Sequence, residues 1–291
     1  MAGRGRRRPG GAPPAAAAPQ ETVPAETVPA APPPPAPGPA TPALGAVIPV
    51  GSGPSHVAVT PDGRTAYVVD PTGRAVVVVD TASGAVVGTV PIAEGPPQQV
   101  AVTPDGQRAF VSVHDAGAGV NAVVVLDVAS GTVVDAIPTG RGPHTAAVSA
   151  DGERVYVPVS LGGHLDVLDG RTGALLDEID TTPNPRTVVL DADGRLAYTA
   201  DPVASVVSVL DVATGDVAAT VPVGSGPHAL AASPDGTRVA VVGRDGEDVS
   251  LIDTATQTSS PRCRGWARVR STSPTHRTCG TCTRPTPATA R

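Results

Sequence analysis

The stretch "GSGPSHVAVTPDGRTAYVVD" (residues 51–70) decides the reading of this chain, because most of it returns as "GSGPHALAASPDGTRVAVVG" (224–243). Between the two copies a Gly-Pro step, once Asn-Pro, recurs with Pro at 54, 96, 143, 185 and 227, at spacings of 42, 47, 42 and 42 residues. A polar turn follows each step: "TPDGR" (60–64), "TPDGQR" (103–108), "SADGER" (149–154), "DADGR" (191–195) and "SPDGTR" (233–238). Then come "AYVVD" (66–70), "AFVSV" (109–113), "VYVPV" (155–159), "AYTAD" (197–201) and "VAVVG" (239–243). An apolar run next ends at Asp80, Asp127, Asp169, Asp211 or Asp253, and a turn such as "TASG" with one more Val-rich run closes the unit. A fixed period of this length is the mark of a repeat architecture.

Each unit holds four short Val-rich segments bounded by turns. Such segments read as strands, and four strands per 40–45 residues is the period of a β-propeller blade. Helices fit poorly, because Gly, Pro and β-branched residues interrupt every segment. The expectation is an all-β propeller of four-stranded blades over residues 44–258, with five blade units. On the Gly-x-x-Pro, Pro-Asp-Gly and Tyr-Val elements just quoted, the repeats resemble the YVTN-repeat β-propeller family. That resemblance implies a seven-bladed ring for a full-length relative and a periplasmic, cell-surface or secreted location. It says little about function, because propellers host many. "LGAVIPVGSGP" (44–54) parallels "VAATVPVGSGP" (217–227), so residues 44–50 are expected to be an outer strand. It either closes on the fifth unit to give a five-bladed ring or belongs to a larger ring.

Composition bounds the partners. All 21 basic residues are Arg and Lys is absent, which points to a GC-rich bacterial coding sequence. Between residues 45 and 258 stand ten Arg against 25 Asp and Glu, a net charge of −15. Such a surface repels phosphate backbones, so nucleic acid is excluded as a partner of that region. No run of about 18 apolar residues exists to span a membrane. The Arg-rich start followed by "PPAAAAPQ" makes no convincing signal peptide. Residues 1–43 are Pro/Ala-rich and are expected to form a disordered linker.

All three Cys (263, 279, 282) lie in the last segment, where "HRTCGTCTRP" (276–285) offers a Cys-x-x-Cys with His276 three residues upstream. Zinc or thiol chemistry is the obvious reading. A different one fits better. When codons are written for residues 265 onward and read from the third nucleotide, the allowed translation includes Leu-Gly-Ala-Gly-Pro-Leu-Asp-Val-Ala-Tyr-Ala-Pro-Asp-Leu-Arg-His-Leu-Tyr-Ala-Ala-Asp. The Gly-Pro, Pro-Asp and Tyr elements reappear one 42-residue period after those of the fifth unit. The other shifted frame does not permit them. Residues 259–291 are therefore expected to be a non-native, disordered tail produced by a frameshift in a longer propeller gene.

The candidate ligand-binding residues follow from the blade plan. His56, His144 and His228 come just after the Gly-Pro step, at the start of the innermost strand, with Gln98 and Arg186 in related places. His114 and His164 lie between the second and third strands. Both kinds of connection share one propeller face, so these seven residues are expected on one rim. The Asp series that ends each apolar run is expected to fix turns. The aromatic series Tyr67, Phe110, Tyr156 and Tyr198, replaced by Ala240 in the fifth unit, is expected to pack between blades. No nucleophile motif, phosphate loop or EF-hand loop is present, and no cofactor or metal site is assigned. The function read from the sequence is a non-catalytic binding or scaffold module for an unknown protein or small-molecule ligand. The alternative is a lactonase-like hydrolase or metal-binding propeller that uses the same His and Arg.

Overall fold

The structure, a computed structural model, describes residues 45–246, 248–260 and 263–264. Among them are strands and turns but no helix. The first antiparallel sheet contains β1 (His56–Val59), β2 (Thr65–Asp70), β3 (Ala75–Asp80) and β4 (Ala85–Pro91), hydrogen-bonded in that order. The second contains β5 (Pro97–Val102), β6 (Arg108–Asp115), β7 (Val120–Asp127) and β8 (Thr132–Pro138). The third contains β9 (Ala147–Val148), β10 (Arg154–Val159), β11 (His164–Asp169) and β12 (Leu175–Asp180). The fourth contains β13 (Thr187–Leu190), β14 (Leu196–Asp201), β15 (Val206–Asp211) and β16 (Val217–Pro222). The fifth contains β17 (Pro227–Ala232), β18 (Arg238–Gly243) and β19 (Asp248–Asp253), with the short β20 (Thr258–Ser259) and β21 (Cys263–Arg264) both on the free edge of β19. These are five propeller blades, and the fold class is the one expected.

The turn residues set the hairpins. In the Asp-Gly turns, Gly63, Gly106, Gly152, Gly194 and Gly236 all take φ between +67° and +74°, a region open to Gly at little cost. Thr60 Oγ1 donates to Asp62 Oδ1 at 2.7 Å and accepts from the Thr65 N–H at 3.0 Å, closing the first such turn. Thr103, Ser149 and Ser233 make the same bond to Asp105, Asp151 and Asp235. The unit-ending Asp residues cap the next turn: Asp80 Oδ1 accepts from the Ser83 N–H at 2.7 Å, and Asp253 Oδ1 from the Thr256 N–H at 2.9 Å.

Each blade has two apolar faces. In the first blade Val57, Val68 and Val77 are cross-strand partners on the leading face. Tyr67, Val69 and Val76 share the trailing face. The trailing face of each of the first four blades packs on the leading face of the next. Tyr67, Val69 and Val76 meet Val100, Val111 and Val124. Phe110 and Val125 meet Val155 and Leu168. Tyr156 and Val167 meet Val188 and Leu210. Tyr198 and Val209 meet Val241 and Ile252. Each buried Val or aromatic contributes about 1.5–3 kcal/mol. One aromatic per joint, at the same register position, fills the gap.

No fifth core joins the last blade to the first among the described residues. Val57 and Val59 are 55% and 52% exposed, whereas Val100 and Val188, at the register position of Val57, are 1% and 4% exposed. On the trailing face of the fifth blade Ala231 is exposed and Ala240, Val242 and Leu251 are only half-buried. The described part of the expected outer strand, residues 45–50, does not form. Residues 45–50 have no strand pairing, and Ile48 Cδ1 lies 3.5 Å from where a Cβ on Gly84 would be, beside the β3–β4 turn of the first blade. The edge of β19 that it was to fill is taken by β20 and β21. Residues 1–43, and 265–291 with His276, Cys279 and Cys282, lie outside the described residues. No helix of the described residues is long and apolar enough to cross a membrane.

Candidate functional site

The innermost strands converge on a cavity of about 490 Å³ lined from all five blades. Cross-strand register identifies two rings of side chains at its mouth. Ala58, Ala101, Ala147, Val189 and Ala231 are equivalent, each facing the aromatic position of its second strand. Two residues earlier stand His56, Gln99, Thr145, Thr187 and Ala229. Three residues earlier stand Ser55, Gln98, His144, Arg186 and His228. All ten line the cavity. Gln98 and His228 sit where the pairing slips, between Pro97 and Gln99 and between Pro227 and Ala229, and a bulge re-aims the side chain it carries.

The polar contacts run from blade to blade. Arg186 donates from Nε and Nη2 to His144 Nε2, at 3.2 and 3.1 Å. Burial, reinforced by Arg186, His114 and His228, lowers the His144 pKa from 6.5 to about 4. His144 is thus neutral with its acceptor nitrogen engaged. The His114 ring lies 6.1 Å from it, and His114 Nδ1 pairs with Asn121 Oδ1 at 2.9 Å. Asn121 Oδ1 also accepts from the Gly142 N–H at 2.8 Å. Gln99 bridges three blades: its Oε1 accepts from the Ala146 N–H at 2.6 Å, and its Nε2 donates to His56 Nε2 at 3.1 Å. That bond leaves the His56 proton on Nδ1, a buried atom with no partner among the described residues. Burial lowers the pKa of His56. Burial lowers that of His228 too, and the nearby Arg244 and Arg186 add to the effect.

Of the expected site residues, His56, Gln98, His144, Arg186 and His228 line this cavity, and His114 touches it through His144. His164 is elsewhere: its Nε2 lies 3.1 Å from Asp166 Oδ1. Asp166 is two positions along the same strand, on the same face, and buried, so it captures the imidazole. Sequence reasoning missed Gln99 and Thr145, whose Oγ1 donates to the Arg186 carbonyl and accepts from the Val188 N–H. The signal was the alignment on the aromatic series. Counting from Pro hides Gln99, because the second blade alone has one extra residue between its Pro and its aromatic position.

Electrostatically the mouth is one-sided. Arg186 carries a permanent charge, and the residues that line the cavity include imidazoles, amides and hydroxyls but no carboxylate. Among the described residues no carboxylate lies within ion-pair distance of Arg186. Such an opening presents donors and positive charge to whatever enters.

Five blades around a polar axial mouth make this chain a β-propeller. It is similar in structure to Kuenenia stuttgartiensis hydrazine synthase, with a TM-score of 0.62 and 24% identity over 69% of this chain and 64% of that one. The match thus spans less than two thirds of the length of that chain. It is similar also to a functionally unknown protein from Desulfotomaculum acetoxidans, with a TM-score of 0.62 and 18% identity over 71% of this chain and 68% of that one. At these identities the likeness shows the fold alone. No family model and no curated protein matches the chain.

Proposed function

We propose that this propeller is a non-catalytic binding module whose axial mouth takes a small anion, a carboxylate or a phosphate. One observation carries the reading. Arg186 stands in a concave site of ligand size with only a neutral imidazole as its partner among the described residues. A buried or half-buried cation without a counter-charge is completed by an anion that brings its own oxygens. His56 Nδ1 supplies a further unused donor. Hydrolysis is disfavoured because the nearest base, His144, has its lone pair engaged by Arg186.

Calorimetric titration with succinate and with inorganic phosphate tests this. One of the two should bind at a single site and weaken as salt rises, and Arg186→Ala should remove the binding. Binding of neither, or equal binding by the variant, overturns the reading. The quoted repeats support membership of the YVTN-type propellers, and the in-phase recovery of repeat elements supports a frameshift origin for residues 259–291. Both belong to the same proposal.

A further inference from the structure

We propose that the third blade carries a divalent transition-metal site formed by His164, Asp166 and Glu178. One ligand atom from each lies within 4.8 Å of the others. The three share a sheet face: His164 and Asp166 are two apart on β11, and Glu178 is the direct partner of Asp166 on β12.

The other blades act as internal controls. The position of His164 is held by Ala75, Ala122, Val206 and Asp248, and that of Asp166 by Val77, Val124, Ser208 and Ser250. The position of Glu178 is held by Thr89, Ala136 and Thr220. Only the third blade changes all three at once, and it changes them to ligand types. The change runs against ordinary stability. Asp166 is 3% exposed, and a buried carboxylate is costly without full compensation. Glu178 sets a like charge directly opposite, which destabilises a sheet pair. Asp177 and Asp180 add negative charge on the same strand, which holds no basic residue. His164 and the Gly140 N–H answer Asp166, but one imidazole is the only cationic group set against two facing carboxylates among the described residues; a dication answers both.

The imidazole is held in place from two sides. A Cβ on Gly162 would lie 2.5 Å from its Cε1, and one on Gly140 would lie 3.5 Å from its Nε2. Only glycine at 162 leaves the ring room, while the approach of Gly140 is an ordinary van der Waals contact. One imidazole nitrogen with two carboxylate oxygens suits Zn²⁺ or Mn²⁺. Three protein ligands leave the remaining positions to water.

The test is titration of Zn²⁺ into the full chain bearing Cys263→Ser, Cys279→Ser and Cys282→Ser, so that thiols do not compete. One ion should bind and raise the melting temperature. Glu178→Gln changes an exposed side chain and preserves the fold; it should weaken binding about tenfold or more, as should His164→Ala. His144→Ala should leave it intact. No uptake by the parent overturns the site, as does unchanged uptake in both His164→Ala and Glu178→Gln, or loss of uptake in His144→Ala alone.

Discussion

Arg186 and His144 come from adjacent blades and meet through two donor contacts on a single imidazole nitrogen, at 3.2 and 3.1 Å. The contact fixes the His144 tautomer with its proton on Nδ1. Histidine NMR should show His144 neutral at pH 5 to 6, where an ordinary imidazole is largely protonated. In Arg186→Ala its pKa should rise while staying below 6.5, because burial is the larger cause of the shift. A normal titration in the parent would contradict this geometry.

The pH dependence of stability has two windows. Between about 4 and 6.5 the unfolded chain binds a proton at His144 that the folded chain refuses, so stability falls as pH drops through that range. The turn carboxylates act lower. Hydrogen bonds from Thr60, Ser83, Thr103 and Thr256 hold Asp62, Asp80, Asp105 and Asp253 below their usual 3.8. Their contribution is present above 3.8 and is lost as pH falls through the depressed folded values. Thermal melts from pH 8 to pH 2 should show both declines, and His144→Gln should shrink the upper one, leaving the share of His56 and His228, whose pKa values burial also lowers.

Phe110 is fully buried in the joint between the second and third blades. Phe110→Ala should cost about 3–5 kcal/mol by denaturant unfolding. Tyr67→Ala at the equivalent place between the first and second blades should cost a similar amount.

The uncovered leading face of the first blade, with Val57 and Val59 half-exposed, is of the same kind as the leading faces buried in the four joints. The uncovered trailing face of the fifth blade is its natural complement. Two copies should associate head to tail, a contact that does not close on itself. Light scattering should show growth with concentration, and Val57→Glu with Val59→Glu should give monomers. A monodisperse monomer of the parent chain would refute the open arc.

Sequencing the coding DNA across codons 255–291 and beyond should reveal a displaced frame that continues the repeat. An intact frame with no further repeat downstream would end that proposal.

Much of this was legible beforehand. Blade number, strand order, the Asp-Gly turns and the aromatic joints follow from one period and a two-residue alternation. The clustering of His56, His144, Arg186 and His228 also follows, because a propeller turns a period into a ring. What the period concealed was local. The bulge at Gln98 adds one residue to the count from Pro96, so Gln99 went unnoticed as the amide that joins three blades. His164 sits at the start of β11, next to the expected connection, yet a buried Asp166 decides its direction, and a carboxylate inside an otherwise apolar strand stretch looks like noise until the register is known. Residues 45–50 copy an outer-strand sequence but have no free edge to join.

The repeated pairing of trailing face on leading face makes the molecule a one-dimensional array in which each blade is held only by its neighbours. The end blades have one such neighbour each and the middle three have two. Amide exchange should therefore be graded, slowest in the third blade and fastest at the two ends. The axial mouth draws on every blade, so fraying at either end dismantles the ring of donors before the centre loosens, and whatever binds across that mouth acts as a clasp on the whole array.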